Sequence, residues 1–303
     1  MNLVELLVGR HREARGADVA AVDDAGEWTF DQLGEAAARA AGARAEAGAG
    51  PGERVAVLLP DGRPWLAAFL GAAWLGAVAV PLDPAAEPAT LADILEDCEP
   101  TVVVGEPPEG APGRAIGPEA LDAGAPREMA AVDDDELAYL VYSSGSTGRP
   151  KAAMHAHGDL RTGIEGYGAE VLGLGPGDRC HSVAKLFTSL GFGNGFFRVL
   201  GNGGTAVLAA GKPNARSVLG VVARHGVTVL TAVPTFWSQL ARFLERHPDP
   251  EALASVRVLV SSGDRLPGPV AERLREVAGV ELLEGLGCSE CSNIVISTRP
   301  GVP

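Results

Sequence analysis

Leu137-Ala138-Tyr139-Leu140-Val141-Tyr142 runs directly into Ser143-Ser144-Gly145-Ser146-Thr147-Gly148-Arg149-Pro150-Lys151. The first part reads as a buried strand, the second as a loop of small hydroxyl residues and glycines that ends on a lysine. Two glycines permit the tight backbone conformations that aim several N–H groups at one anion. The Ser and Thr hydroxyls add donors, and Lys151 adds a positive charge. This is the chemistry needed to hold a triphosphate or a departing pyrophosphate. The order is not that of a Walker A loop, which reads G-x-x-x-x-G-K-[ST] and enters a helix directly. Here Pro150 stands before the lysine.

Outward from this stretch, strands and helices alternate. Val55–Leu59 is a short apolar strand ended by Pro60-Asp61-Gly62; Trp65–Leu75 reads as a helix, Val78–Val80 as a strand, Leu91–Asp97 as a helix and Thr101–Val104 as a strand. The Pro-, Gly- and Ala-rich stretch from Gly105 to about Glu128 reads as a surface loop with a short helical piece. The rhythm then resumes: a helix after His157, strands at Thr205–Ala209, Val227–Ala232, Val256–Ser261 and Val280–Glu284, and helices at Ala215–His225, Thr235–Arg246 and Pro267–Val277. Such alternation argues for right-handed crossovers and a mainly parallel sheet. The expected fold is therefore α/β: two lobes, roughly 1–140 and 141–303, with mainly parallel sheets flanked by helices.

Composition limits the partners. Lys plus Arg number 25 against 39 Asp plus Glu, a net charge of −14. An acidic chain repels nucleic acid and anionic lipid, so neither is an expected partner, and any phosphate must be held by local donors. The longest apolar run, Trp65–Val80, falls short of the ~20 residues of a membrane helix and is punctuated by Gly76. The opening Met-Asn-Leu-Val-Glu lacks a basic-then-apolar leader, so a cytoplasmic location is expected. Cys288 and Cys291 form a C-x-x-C, but a zinc site needs a second ligand pair at suitable spacing and the sequence supplies none. His155 and His157 form a His-x-His with no third ligand, so a structural role is expected.

Ser143 to Lys151 resembles the phosphate loop of the adenylate-forming superfamily: acyl- and aryl-CoA ligases, adenylation domains of peptide synthetases, and luciferases. Further blocks fall in family order. Glu27-Trp28-Thr29-Phe30-Asp31-Gln32-Leu33 resembles an early T-Y-x-E-L segment, and Gly52-Glu53-Arg54-Val55 through Pro81-Leu82-Asp83-Pro84 the next block. Ser262-Gly263-Asp264-Arg265-Leu266 resembles the segment that cups the adenine, and Gly285-Leu286-Gly287-Cys288-Ser289-Glu290 the Y-G-x-T-E motif. The resemblance covers essentially the whole chain.

The resemblance implies an acid–thiol ligase that uses ATP and Mg²⁺ to form an acyl-AMP, then transfers the acyl group to CoA or a carrier-protein phosphopantetheine thiol. Ser143, Ser144, Gly145, Ser146, Thr147, Gly148 and Lys151 would hold the phosphates, with Lys151, Thr147 and Glu290 as catalytic groups. Thr147 and Glu290 would hold the metal; Gly263, Asp264, Arg265, Gly287 and Ser289 would complete the nucleotide site. Leu286 stands where many relatives have a tyrosine beside the adenine, and Ser289 where they have a threonine.

The segment Ala184–Gly195, with Val233-Pro234-Thr235-Phe236 and the residues after Glu290, is similar to benzoate-type CoA ligases. Ser189, Leu190, Gly191, Gly285, Leu286 and Gly287 are the implied acid-binding residues, and Gly191, Gly193, Gly285 and Gly287 are expected to leave room for a flat ring. Family members that activate α-amino acids place an aspartate in this segment; Ala184–Gly195 has no acidic residue, which implies an aromatic acid. The family's ribose-binding aspartate, hinge and C-terminal domain with its catalytic lysine have no counterpart in these residues, so a truncated N-terminal part, poorly active alone, is expected. The open alternatives are an adenylation domain that loads a carrier protein or a nitrogen acceptor, and a nucleotide-binding fragment without turnover.

Overall fold

Runs of β-branched residues bounded by glycine and proline set the strands of this chain, and alanine-rich amphipathic stretches set its helices. A computed structural model describes residues 1–144, 150–249 and 251–301. The chain divides into two compact units, Met1–Ala21 with Ala25–Arg161, and Val22–Asp24 with Thr162–Pro303. The expected lobe boundary near residue 140 falls inside a strand, and the first unit continues to Arg161.

After β1 (Val19–Asp23) and β2 (Gly26–Thr29), the first unit contains α1 (Phe30–Ala47), β3 (Arg54–Leu58), α2 (Arg63–Trp74), β4 (Val78–Pro81), α3 (Pro88–Cys98), β5 (Val102–Gly105), β6 (Arg114–Ile116), β7 (Leu137–Ser144) and β8 (Pro150–Ala156). Helix α1 starts at a reciprocal cap: the Gln32 N–H donates to Thr29 Oγ1 at 3.2 Å, and the Thr29 N–H to Gln32 Oε1 at 2.9 Å. It ends at Gly48, whose φ of 106° lies in the left-handed region. Arg44, fully buried, donates to Ala40 O at 2.5 Å and to Ala68 O at 2.6 Å, tying α1 to α2. Burial lowers its pKa to about 9.

The six-stranded sheet has the order β6-β5-β3-β4-β7-β8. Its pairs are parallel except the last, in which β8 returns antiparallel along β7. Alternation along β7 sends neighbours to opposite faces. Tyr139 meets Phe69 of α2 edge-on at 5.9 Å, whereas Leu140 joins Leu91, Ile94 and Leu95 of α3.

The second unit contains β9 (Arg179–Ser182), β10 (Thr205–Val207), α4 (Ala215–His225), β11 (Val229–Ala232), α5 (Pro234–Arg246), β12 (Val258–Ser262), α6 (Gly268–Ala278), β13 (Glu281–Cys288) and β14 (Asn293–Ser297). The strands run β14-β13-β12-β11-β9-β10, all parallel except β13 with β14. Val218, Val222, Trp237, Leu240, Ala271 and Leu274 pack with Leu230, Leu259 and Leu282 in one buried cluster. At the start of β9, Asp178 accepts from Arg257 Nε at 2.8 Å and from Thr228 Oγ1 at 2.7 Å. Burial alone would raise the Asp178 pKa, but Arg257 and Thr228 outweigh it and hold the carboxyl below its ordinary value.

The mainly parallel α/β architecture is as expected, with sheets that are mixed rather than purely parallel. β6 lies within the stretch read as loop, and the expected final strand at Val280–Glu284 extends to Cys288 and is followed by β14. These additions pair along a neighbour at a sheet edge or are too short to show a period of their own. Among the described residues, no helix is long and apolar enough to cross a membrane.

Candidate functional site

The helical stretch that follows β9 begins at Thr188. Its Oγ1 accepts the Gly191 N–H at 3.1 Å and donates to Lys185 O at 2.7 Å. Lys185 is anchored in turn, its Nζ donating to Ala209 O at 2.5 Å and Gly211 O at 2.9 Å. This cap fixes the direction in which the helical stretch leaves the sheet. Leu190, Asn194 and Arg198, four residues apart, all line one cleft together with Ser189.

The opposite wall comes from the ends of two parallel strands and the returning edge strand: Ser262 and Gly263 after β12, Gly287 and Cys288 at the end of β13, and Ile294 of β14. The carboxyl ends of parallel strands are where α/β sheets commonly bind ligands. The cleft is narrow, with a cavity volume of about 60 Å³, well below that of a preformed ligand site. Gly263, Gly287 and Cys288 are exposed at that mouth, Ser189 and Leu190 are half-buried, and Asn194, Arg198, Ser262 and Ile294 are buried.

The cleft is bridged by hydrogen bonds. Ser189 Oγ and Ser289 Oγ lie 3.2 Å apart. Asn194 Nδ2 donates to Leu190 O at 3.1 Å, Arg198 Nη1 donates to Asn194 Oδ1 at 3.0 Å, and Arg198 Nη2 donates to Ser292 O at 3.3 Å. The Arg198 guanidinium also stands over the rings of Phe197 and Tyr167, 4.8 and 5.3 Å from their centroids.

Of the residues expected to bind the acid, Ser189, Leu190 and Gly287 come together in this cleft. Gly191 and Gly285 do not open it. A side chain at Gly191 would meet Lys185 O at 2.1 Å, and one at Gly285 would meet Ile294 Cγ2 at 2.8 Å. Their missing side chains admit backbone and Ile294, so the room expected for a ring is already filled there. The room at Gly193 is taken by Arg198 Nη1, 2.4 Å from where a Cβ would stand. Leu286 is 63% exposed. Asn194, Arg198, Ser262, Cys288 and Ile294 complete the cleft without having been singled out from sequence. A four-residue spacing from Leu190 was the available signal for the first two.

Gly263, Asp264 and Arg265, expected beside the adenine, form an exposed turn after β12, in which Asp264 Oδ1 accepts the Arg265 N–H at 2.7 Å. The φ of 94° at Gly263 requires glycine. Glu290 is exposed just beyond β13, a hard oxygen donor of the kind Mg²⁺ accepts alongside phosphate oxygens. Among the described residues no three His, Cys, Asp or Glu side chains cluster as ligands.

In the first unit, Ser143 pairs with Lys151 and Ser144 with Pro150 across the β7–β8 hairpin, and Lys151 is exposed. Gly145, Ser146, Thr147 and Gly148 lie outside the described residues. The two histidines after the loop have structural surroundings. His155 stacks on Tyr139 at 4.6 Å, and His157 Nδ1 accepts the Leu3 N–H at 3.1 Å, with burial lowering the His157 pKa to about 4. His181 is likewise lowered by burial to about 4, its ring Nδ1 lying 2.9 Å from Val207 O. Cys288 and Cys291 are both exposed, and a hydrogen bond with Cys288 raises the Cys291 thiol pKa.

The chain is similar to the 3-hydroxybenzoate–CoA/4-hydroxybenzoate–CoA ligase of Thauera aromatica, with 31% identity over 99% of this chain and 62% of that protein. The benzoate–CoA ligase of the same organism is 32% identical over 99% of this chain and 61% of its own length. Among solved structures, a benzoate CoA ligase from Burkholderia xenovorans LB400 superposes with a TM-score of 0.92 at 31% identity, over the whole chain and 64% of that one. The anthranilate CoA ligase AuaEII in complex with anthranoyl-AMP gives 0.93 at 29%, over the whole chain and 62% of that one. The chain thus spans about three fifths of the length of these relatives. The model of the AMP-binding enzyme family matches from residue 9 to residue 303 and leaves almost nothing of either unit outside it, so the chain belongs to that family.

Proposed function

We propose that this chain forms the nucleotide- and acid-binding part of an aromatic acid–CoA ligase, its two units being the lobes of one AMP-binding domain. The carrying observation is the cleft at the ends of β12 and β13. It is walled by Ser189, Leu190, Gly263, Gly287 and Ile294, and its described lining residues include no carboxylate. An α-ammonium buried there would lack a counter-charge, at a cost of several kcal/mol. A benzoate-type ring meets apolar and glycine surface instead.

The reaction has two steps. A carboxylate oxygen attacks the α-phosphorus of ATP, forming acyl-AMP as pyrophosphate departs. The CoA thiolate then attacks the acyl carbonyl and AMP leaves, giving the thioester. Lys151 and the loop Ser143–Gly148 hold the departing phosphates. Gly263, Asp264 and Arg265 border the adenine, with Leu286 as its apolar contact, and Ser289 donates to the α-phosphate. Glu290 and Thr147 are the residues proposed to take a Mg²⁺, which would neutralise phosphate charge. ATP and CoA are both available in the cytoplasm, the location proposed for the reaction.

Hydroxylamine trapping of acyl-adenylates tests this in the protein that carries the chain, across benzoates, α-amino acids and long-chain fatty acids. Benzoates should give the hydroxamate most rapidly; a clear preference for either other class would overturn the assignment of the cleft.

A further inference from the structure

The cleft has a charged floor. Exposure falls from its mouth at Gly263 and Gly287 to Arg198, which is 1% exposed yet lines the cavity. The guanidinium is held in a fixed orientation. Arginine only donates and a backbone carbonyl only accepts, so the Asn194 amide must present Oδ1 to Arg198 and Nδ2 to Leu190 O. Ser292 O fixes the other Nη, and the space over Gly193 is the one a Cβ would close. A ring entering with its reacting carboxylate toward the mouth therefore turns its far edge toward a preoriented cation.

We infer that Arg198, positioned by Asn194, selects aromatic acids that carry an oxygen substituent, hydroxyl or a second carboxylate, on the ring edge remote from the carboxylate being activated. The inference rests on the acid-activation reading above and names the substrate class of that site. A hydroxyl or carboxylate oxygen accepts from the guanidinium, and a charge-assisted bond of this kind corresponds to roughly ten- to a hundredfold in affinity. An aromatic amine is a poor acceptor, its lone pair being delocalised into the ring, and its N–H groups face donors. It gains nothing over the unsubstituted ring.

Calorimetric titration of the full-length protein that carries the chain tests the assignment. The probes are 5′-O-(N-benzoylsulfamoyl)adenosine and its counterparts with hydroxyl, carboxyl or amino groups at ring positions 3 and 4. At one of the two positions the hydroxyl and carboxyl probes should bind about ten- to a hundredfold more tightly than the benzoyl probe, and the amino probes no more tightly. Arg198→Met removes the donors to Asn194 Oδ1 and Ser292 O as well as any bond to the ring. Whatever this does to all probes alike, it should abolish the advantage, about ten- to a hundredfold, of the hydroxyl and carboxyl probes over the benzoyl probe. Arg198→Gln, which keeps a donor for Ser292 O, should lose the carboxyl preference first, and it serves as the test if the Met variant does not fold. Equal weakening of every probe would mean that Arg198 only clamps Ser292, and a preference unchanged in both variants would mean that it does not read the ring; either overturns the inference. Failure of the wild-type full-length protein to bind any probe would overturn the acid-activation reading itself, and this inference with it.

Discussion

The two units each end their parallel run with an antiparallel edge strand, and in each a sequence motif falls between the two paired strands, yet the two pairs are built differently. β7 and β8 pair from Leu137–Ala156 to Ser144–Pro150, with Tyr139, Val141 and His155 buried along the ladder. β13 and β14 pair only from Gly285–Ser297 to Cys288–Asn293, with a register shift between Leu286 and Gly287. Leu286, Val295 and Ile296 stand 63%, 54% and 66% exposed. The first hairpin presents Lys151 from a packed base. The second borders the cleft with a short, bulged ladder, a common arrangement where a side chain must be re-aimed.

Side-chain truncation breaks the comparison most sharply. Tyr139 is fully buried, stacked on His155 and edge-on to Phe69. Tyr139→Ala should cost about 3–5 kcal/mol in urea unfolding, as for other large-to-Ala core changes. Ile296→Ala, in the open hairpin, should move stability by less than about 0.5 kcal/mol. A comparable loss from both would mean that β14 is as well packed as β7.

Activity should reverse that asymmetry. Lys151 and Glu290 are exposed in their respective hairpins, so neither substitution to alanine should shift the melting temperature appreciably. In the full-length protein that carries the chain, each should nonetheless lower ATP–pyrophosphate exchange by about 10²–10³, the usual effect of losing a group that stabilises transition-state charge. Exchange at the unsubstituted rate in either variant would remove that residue from the phosphate or metal site.

The packed hairpin also carries a pH liability. His157, one residue past β8, accepts the Leu3 N–H through Nδ1, and its pKa of about 4 lies below the ordinary 6.5. The folded state therefore binds fewer protons than the unfolded chain between those values. The stability contributed is complete above pH 6.5 and is lost as pH falls toward 4, about 2 kcal/mol of it between pH 7 and 5. His181 contributes a second loss of the same sign. In His157→Asn the amide oxygen can still accept from Leu3 while nothing titrates. The drop in urea midpoint between pH 7 and 5 should shrink by about half, and an unchanged drop would mean that His157 is protonated in the fold.

Legibility in the sequence followed the source of each element's stability. Strands such as Val102–Val104 and helices such as Ala215–His225 were readable because their own side chains bury. The helix is also delimited by Asn214, which accepts the Ser217 N–H at 3.0 Å, and by left-handed Gly226. β8, β9 and β14 were not recognised, and α1 was read only as a motif-bearing segment. Edge strands β8 and β14 depend on a neighbour's ladder, β9 is an interior strand whose Arg179-Cys180-His181-Ser182 has no apolar run, and the alanines of α1 favour no single face strongly. In the cleft, Ser189, Leu190 and Gly287 were readable from motif resemblance. Arg198 was not, because only the four-residue helical spacing and the absence of a side chain at Gly193 bring it to the floor.

The smallest effect tests why the open hairpin contains Gly285. A Cβ at this position would stand 2.8 Å from Ile294 Cγ2 and 3.0 Å from Cδ1, closer than carbon atoms tolerate, and Ile294 also lines the cleft. Its φ does not demand glycine, so Gly285→Ala should be penalised by overpacking alone, at about 1–2 kcal/mol. Ile294→Val removes Cδ1 but leaves Cγ2, so it should relieve only part of the clash, whereas Ile294→Ala removes both contacting atoms. A double-mutant cycle in urea should therefore show coupling between Gly285→Ala and Ile294→Ala that exceeds the coupling with Ile294→Val. Additive costs in both cycles would mean that β14 moves aside freely, and that Ile294 is not held against the cleft by the strand it faces.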